Sequence, residues 1–418
     1  MGTPRCFVGG RALTTGVRAR LIAPPFIAPS FVALSLMALC LTACGAGPAS
    51  APESPPPLAP APPASVGAPA PSASTPAGVA GAASSATSEE PSEPPLPPAP
   101  PGPPPGSLAR GDGGPADAAL ALGDAAYLAD DLPQAERHFQ AAKKQAPRDP
   151  APAVGLLRVA LAKTGLVTDY AVAPKDARLL RLVKEADRII ALDQSYGPAQ
   201  VEKGRLLLML GDASGALTAL GRGVELAPND PEAHSALGVA KLALGETEPA
   251  LEAFERAAAL DGRNAARQTN LGTAYLLRGR VSEALTAYRR AVTLAPKDPR
   301  ARGDLGTAYL AAGRPKEAVV ELERAIALER RATFLSNLGY ARQLIGDLPR
   351  AIATYREAIA LDPKLGSAWI NLGTALAKQG DLAGAEQALR RAEQLDPTDP
   401  RVKANLEELA ALKRDRKP

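Results

Sequence analysis

Asn270, Asp304, Asn337, Asn371 and Asn405 recur every 33 or 34 residues along the second half of this 418-residue chain. An asparagine amide offers both a donor and an acceptor. A row of them therefore suits hydrogen bonding to the main chain of an extended peptide, whatever side chains that peptide carries. Thr273, Thr307 and Thr374 stand three residues after three members of the row, and on a helix that step keeps them on the same face. Asp304 interrupts the asparagines, and Glu202 and Ala236 end the row upstream. The chemistry of this set is recognition rather than bond breaking.

No other residues compete with it as a reactive centre. His138 and His234 are the only histidines, one beside the helix-packing Phe139 and the other at a packing position of a first helix. Neither a His cluster nor an acid pair has the spacing of a metal site or an activated nucleophile. Gly221-Arg222-Gly223 and Gly111-Asp112-Gly113-Gly114 are the glycine-rich stretches, and neither lies between a strand and a helix as a phosphate loop must. The sequence predicts no enzyme, no catalytic residue, no metal and no small-molecule cofactor. The 48 basic and 44 acidic residues leave a formal charge of +4, which Arg5, Arg11, Arg18 and Arg20 of the first segment supply in full. Nucleic-acid binding needs a clustered basic face, so no nucleic-acid partner is expected. Lys413, Arg414, Arg416 and Lys417 read as a solvated tail.

A row with this spacing must be carried by repeated elements. Leu237-Gly238, Leu271-Gly272, Leu305-Gly306, Leu338-Gly339 and Leu372-Gly373 advance in steps of 34, 34, 33 and 34 residues. Such a period marks a solenoid whose units bury their apolar faces against one another. The unit starting at 265 holds Leu271, Gly272, Tyr275, Gly279, Ala284, Tyr288, Ala291, Leu294 and Pro296. Small residues at Gly272 and Ala284 let two antiparallel helices approach, with Tyr275 and Tyr288 beside them. Gly279 ends the first helix and Pro296 stops the second. Gly238 with Phe254, Gly306 with Tyr309, Gly339 with Tyr355, Trp369 with Gly373, and upstream Gly204 with Ala216 and Gly123 with Phe139 keep the register.

This pattern resembles the tetratricopeptide repeat, or TPR. The resemblance implies an all-α fold, an α-α superhelix of about eight helix-turn-helix repeats. They fall near 116–149, 150–196, 197–230, 231–264, 265–298, 299–331, 332–365 and 366–399, with a capping helix over 400–414. The unit 150–196 is about 13 residues too long for one repeat, and the excess is placed near Thr164 to Asp176. The resemblance also implies that first helices line a concave groove, where the Asn and Thr row would hold a peptide.

Residues 1–43 combine four arginines, an apolar run from Phe31 to Leu41 and the ending Leu41-Thr42-Ala43-Cys44. The run is too short for a membrane-spanning helix. It resembles a bacterial lipoprotein signal peptide, which implies cleavage before Cys44 and a lipid on its thiol. Cys6 and Cys40 would leave with the leader, so no free thiol remains. Gly45 stands where an aspartate would retain such a protein in the inner membrane, so the resemblance implies an outer-membrane, periplasm-facing location. Residues 44–115 are dominated by Pro, Ala and Ser. That composition builds no core, and some 70 such residues could span on the order of 200 Å when stretched.

The expected protein is therefore a lipid-anchored, non-enzymatic scaffold of the cell envelope that holds a protein or peptide partner in its groove. Two narrower readings stay open. One is a pilotin or assembly factor for a secretin, pilus or β-barrel machinery, and the other a targeting subunit for a cell-wall or glycosyl-transfer enzyme.

Overall fold

The computed structural model describes residues 106–166, 170–171 and 173–415. The expected leader, the expected lipidation site at Cys44 and most of the expected linker lie outside them.

Among the described residues there are seventeen α-helices and no strand. The first hairpin pairs α1 (Asp117–Leu128) with α2 (Leu132–Gln145), and the second pairs α3 (Pro150–Ala162) with α4 (Ala177–Leu192). The third joins α5 (Gly197–Met209) to α6 (Ala213–Leu226), and the fourth joins α7 (Pro231–Ala243) to α8 (Thr247–Leu260). Then come α9 (Ala265–Leu277) with α10 (Val281–Leu294), and α11 (Pro299–Ala311) with α12 (Pro315–Leu328). The last pairs are α13 (Ala332–Leu344) with α14 (Leu348–Leu361), and α15 (Gly366–Gln379) with α16 (Leu382–Leu395). Helix α17 (Pro400–Asp415) covers the end of the stack, burying Val402 and Leu409.

Local sequence explains the helix starts. Asp149-Pro150, Asp230-Pro231 and Asp298-Pro299 open α3, α7 and α11. Each aspartate accepts an N-terminal backbone amide, and each proline occupies a position whose N–H needs no partner. Second helices start on Asp131, Asp212, Asp347 and Asp381 in the same manner. First helices end on glycines such as Gly279, whose φ of +71° favours a residue without a Cβ.

Packing inside a hairpin turns on the Leu-Gly pair. A Cβ placed on Gly339 would lie 2.6 Å from the ring of Tyr355, which is wholly buried. Phe254 against Gly238 and Phe139 against Gly123 repeat the fit. Tyr288 is buried in this way against Gly272, but Tyr275 is not its counterpart. Tyr275 is half-buried, donates its hydroxyl to Glu255 of the preceding hairpin at 3.0 Å and lies under Arg280. Gly223 meets Val201 closely, whereas Gly221 faces open space.

The described residues of the Thr164–Asp176 excess lie between α3 and α4, and the amides of Ala171 and Ala173 anchor them on α5 by bonding the carbonyls of Leu208 and Met209. Two boundaries differ from the sequence reading. Packed chain begins before residue 116: Leu108, Ala109 and Ala116 are buried and join the N-terminal core. At the other end Lys413 pairs with Glu386, so it is tied to α16 rather than part of a free tail. No helix among the described residues is long and apolar enough to cross a membrane.

Candidate peptide-binding surface

First helices of successive hairpins touch one another, as α3 and α5, α5 and α7, α11 and α13, and α13 and α15 do, whereas among the described residues no two second helices pack side by side. A stack with one set of helices closer together curves toward that set. The first helices therefore line the inner side, and the predicted row lies on them.

The row is not uniform. Asn270 is 1% exposed; its amide donates to Ser235 of α7 at 3.2 Å, and its carbonyl oxygen is buried without a partner. Thr273 is equally buried, donating to the Thr269 carbonyl at 3.0 Å and accepting from Tyr288 at 2.7 Å. Asn270 serves the packing between repeats, and Thr273 the packing within its own hairpin. Asn337 is half-buried and donates to Thr307 at 3.0 Å, while Thr307 donates to the Gly303 carbonyl. Thr374 bonds back to Ile370 in the same way, and Asn405 donates to the Arg401 carbonyl. The side chain of Asn371 is half-buried and has no hydrogen-bond partner among the described residues. Donors and acceptors left over for a ligand thus concentrate from Asn337 to Asn405. Asn270 and Thr273, by contrast, are spent on the array itself.

Asp304 is 5% exposed. Burial pushes its carboxyl up to about 7, Asp298 adding to the shift and Arg300 and Arg331 opposing it.

Upstream, the same inner row becomes a chain of buried and half-buried ions that sequence reading did not identify. Arg158 of α3 meets Glu202 of α5 at 2.6 Å, and Arg205 meets the other Glu202 oxygen at 3.0 Å. Glu232 of α7 lies 3.4 Å from both Arg205 and Arg267 of α9, contacts of charge without full hydrogen-bond alignment for Arg205. Arg267 closes the series on Asp261 at 2.6 Å. Burial alone would raise the Glu202 carboxyl, but the charges and hydrogen bonds of Arg205 and Arg158 outweigh it and hold the group below its ordinary value. Three arginines and three acids alternate across four hairpins. The signal was present in the register: Glu202 occupies the Asn position of its repeat, and Arg158 and Arg205 the Thr position.

The histidines sit in structural settings. A ring nitrogen of His234 bonds the Pro228 carbonyl at 2.9 Å. Gln268, Arg302 and Trp369 bond the carbonyl six residues upstream at the matching place in their own repeats. His138 is half-buried on α2.

Before α1, residues 106–111 run across the inner side of the first two hairpins. The Gly106 carbonyl accepts from Arg158 at 2.8 Å. The Asp124 carboxylate accepts from the Ser107 hydroxyl at 2.7 Å and from the amides of Leu108 and Ala109 at 2.7 and 3.1 Å. Asp117 accepts from the amides of Arg110 and Gly111 at 2.7 and 3.1 Å.

Helical hairpins stacked in one direction, with one helix set inside and a polar inner row, define an α-solenoid. Profiles of the tetratricopeptide repeat match residues 201–265, 235–299 and 336–400, and a second such profile matches 277–333. The matched segments, 201–333 and 336–400, are tetratricopeptide repeats. Among solved structures, a chain of the APC/C hetero-tetramer Cut9-Hcn1 is 14% identical with a TM-score of 0.55, over 70% of this chain and 55% of that one. This chain thus spans little more than half of that relative, and the likeness is one of fold. TTC0263, a thermophilic TPR protein of Thermus thermophilus, is 27% identical with a TM-score of 0.38, over 43% of this chain and 99% of that one. YrrB, described as a TPR protein with an unusual peptide-binding site, is 21% identical with a TM-score of 0.37, over 46% and 99%. No curated protein sequence matches the chain.

Proposed function

We propose that this protein is a non-enzymatic scaffold that captures a partner protein or peptide on the inner side of its C-terminal repeats, and that it does so in the bacterial envelope from a lipid anchor at Cys44. The observation that carries the capture reading is the stretch Asn337, Asn371, Thr374 and Asn405, an inner polar row at repeat spacing whose hydrogen-bonding capacity the fold leaves partly unused. The sequence Leu41-Thr42-Ala43-Cys44 and the proline-rich segment behind it support the anchor. Two or more acyl chains hold a protein firmly where one holds it reversibly.

The capture reading separates from mere packing by two variants. Asn371→Ala should leave the melting temperature unchanged and weaken partner capture in crosslinking pull-downs from envelope extracts. Asn270→Ala should instead lower stability by about 1 kcal/mol, because it breaks a buried interrepeat bond. Capture untouched by Asn371→Ala and Asn337→Ala together would remove the groove from the account. For the anchor, the chain should take up labelled palmitate and Cys44→Ser should not; an unlabelled parent chain sinks that half of the proposal alone.

A further inference from the structure

The Gly106–Gly111 segment has the features of a bound ligand rather than of a helix end. It is non-helical and lies on first-helix positions equivalent to Thr273 and Thr307, namely Asp124 of α1 and Arg158 of α3. Its main chain is read directly: four consecutive amides, from Leu108 to Gly111, go to two carboxylates, and one carbonyl goes to a guanidinium. Bonds with one ionised partner are the strong kind. Its side chains add selectivity. Leu108 is 2% exposed within the N-terminal core, the Ser107 hydroxyl is held by Asp124, and Arg110 pairs with Asp149 at 2.9 Å while lying over the Tyr196 ring. Beyond Gly106 the surface stays concave. An open cleft of about 510 Å³ runs on past Arg158 to Pro198, Asn229 and Asp230.

We propose that the first two hairpins form a second peptide-binding site, which the chain's own Ser107–Gly111 occupies in cis. The ligand class is an extended peptide carrying a leucine after a hydroxyl residue, then a small residue and an arginine. A partner of that pattern displaces the segment and extends into the adjoining cleft. This site shares no residue with the Asn337–Asn405 row, so its test does not depend on the function proposed for that row.

The test uses the full chain and a fluorescently labelled peptide of residues 106–113. Leu108→Asp places a charge in the core and expels the segment while leaving Asp124, Asp117 and Arg158 in place. The peptide should bind this variant at least about tenfold more tightly than the parent chain, whose site is filled. Adding Asp124→Ala should take away at least about tenfold, as loss of charge-assisted bonds requires. A folded Leu108→Asp chain that ignores the peptide overturns the proposal, as does binding indifferent to Asp124→Ala. Hydrogen exchange on the parent chain decides independently if Leu108→Asp fails to fold. Amides of Leu108 to Gly111 that exchange well before those of α1 and α2 support a displaceable segment; exchange together with those helices makes it a fixed part of the fold and overturns the proposal.

Discussion

Asp304 shows how much one residue's setting matters. It stands where adjacent repeats carry Asn270 and Asn337, at the same inner position, yet it is a carboxyl group removed from water. Its ordinary value of 3.8 rises to about 7 in the fold, so between those values the folded state holds a proton that the unfolded state has released. Stability contributed at this position is therefore present below about pH 4 and is lost as pH rises toward 7. Asp304→Asn should leave the melting temperature nearly unchanged at pH 4 and raise it at pH 8. The gain should be on the order of 2 kcal/mol, less than the full shift converts to because real interiors relax. Equal melting curves for the two chains at pH 8 would show that the carboxyl is not desolvated as the geometry implies. The position was legible in the sequence as an interruption of the asparagines. Its burial was not, because it depends on how closely α9, α11 and α13 approach.

Hairpins are the units that the sequence describes best. An aspartate cap, a first-position proline, a glycine at positive φ and a small-to-large contact are all local signals, and they recur with the period of the chain. The tightest contact makes the clearest forecast. Gly339→Ala would push a methyl group into the Tyr355 ring at 2.6 Å, and with that ring wholly buried the helices must separate. Chemical denaturation should show a loss of about 1–3 kcal/mol, typical of overpacking. A neutral or stabilising result would mean that the pair α13–α14 can open at no cost. What the hairpin pattern concealed is the link between hairpins. Arg158, Glu202, Arg205, Glu232 and Arg267 are ordinary surface-type residues when read along the chain, and only stacking of α3, α5, α7 and α9 brings them into one series of buried and half-buried ions. Removing one member would strand its partners' charge.

Across the whole molecule, each hairpin packs on its sequence neighbours, and the core divides into successive clusters rather than one centre. The largest runs from Val201 to Ala341, the N-terminal one from Leu108 to Met209, and others gather between Leu335 and Leu409. In such an array stability is close to a sum over units and their interfaces, so the ends should open first. Hydrogen exchange in mild denaturant should find α7 to α12 protected longest and α16 and α17 released early. Simultaneous exchange of all helices would show a single cooperative unit instead. The same linearity separates the two surfaces, the unspent polar row near the C-terminal end and the segment-filled site on the first two hairpins.

Taken alone, the sequence determined what is local and repeated: an all-α array, eight hairpins with an insertion near Thr164–Asp176, a closing helix, and the repeat spacing of the Asn and Thr row. Those follow from period, capping and small-residue placement, each of which acts within one or two repeats. Tertiary structure decided which members of the row remain available, that the upstream row is a series of partly buried ion pairs, and that Ser107–Gly111 lies on Asp124 and Arg158. Burial, carboxyl protonation and long-range hydrogen bonding depend on the distance between helices far apart in sequence. No residue's own identity carries that distance.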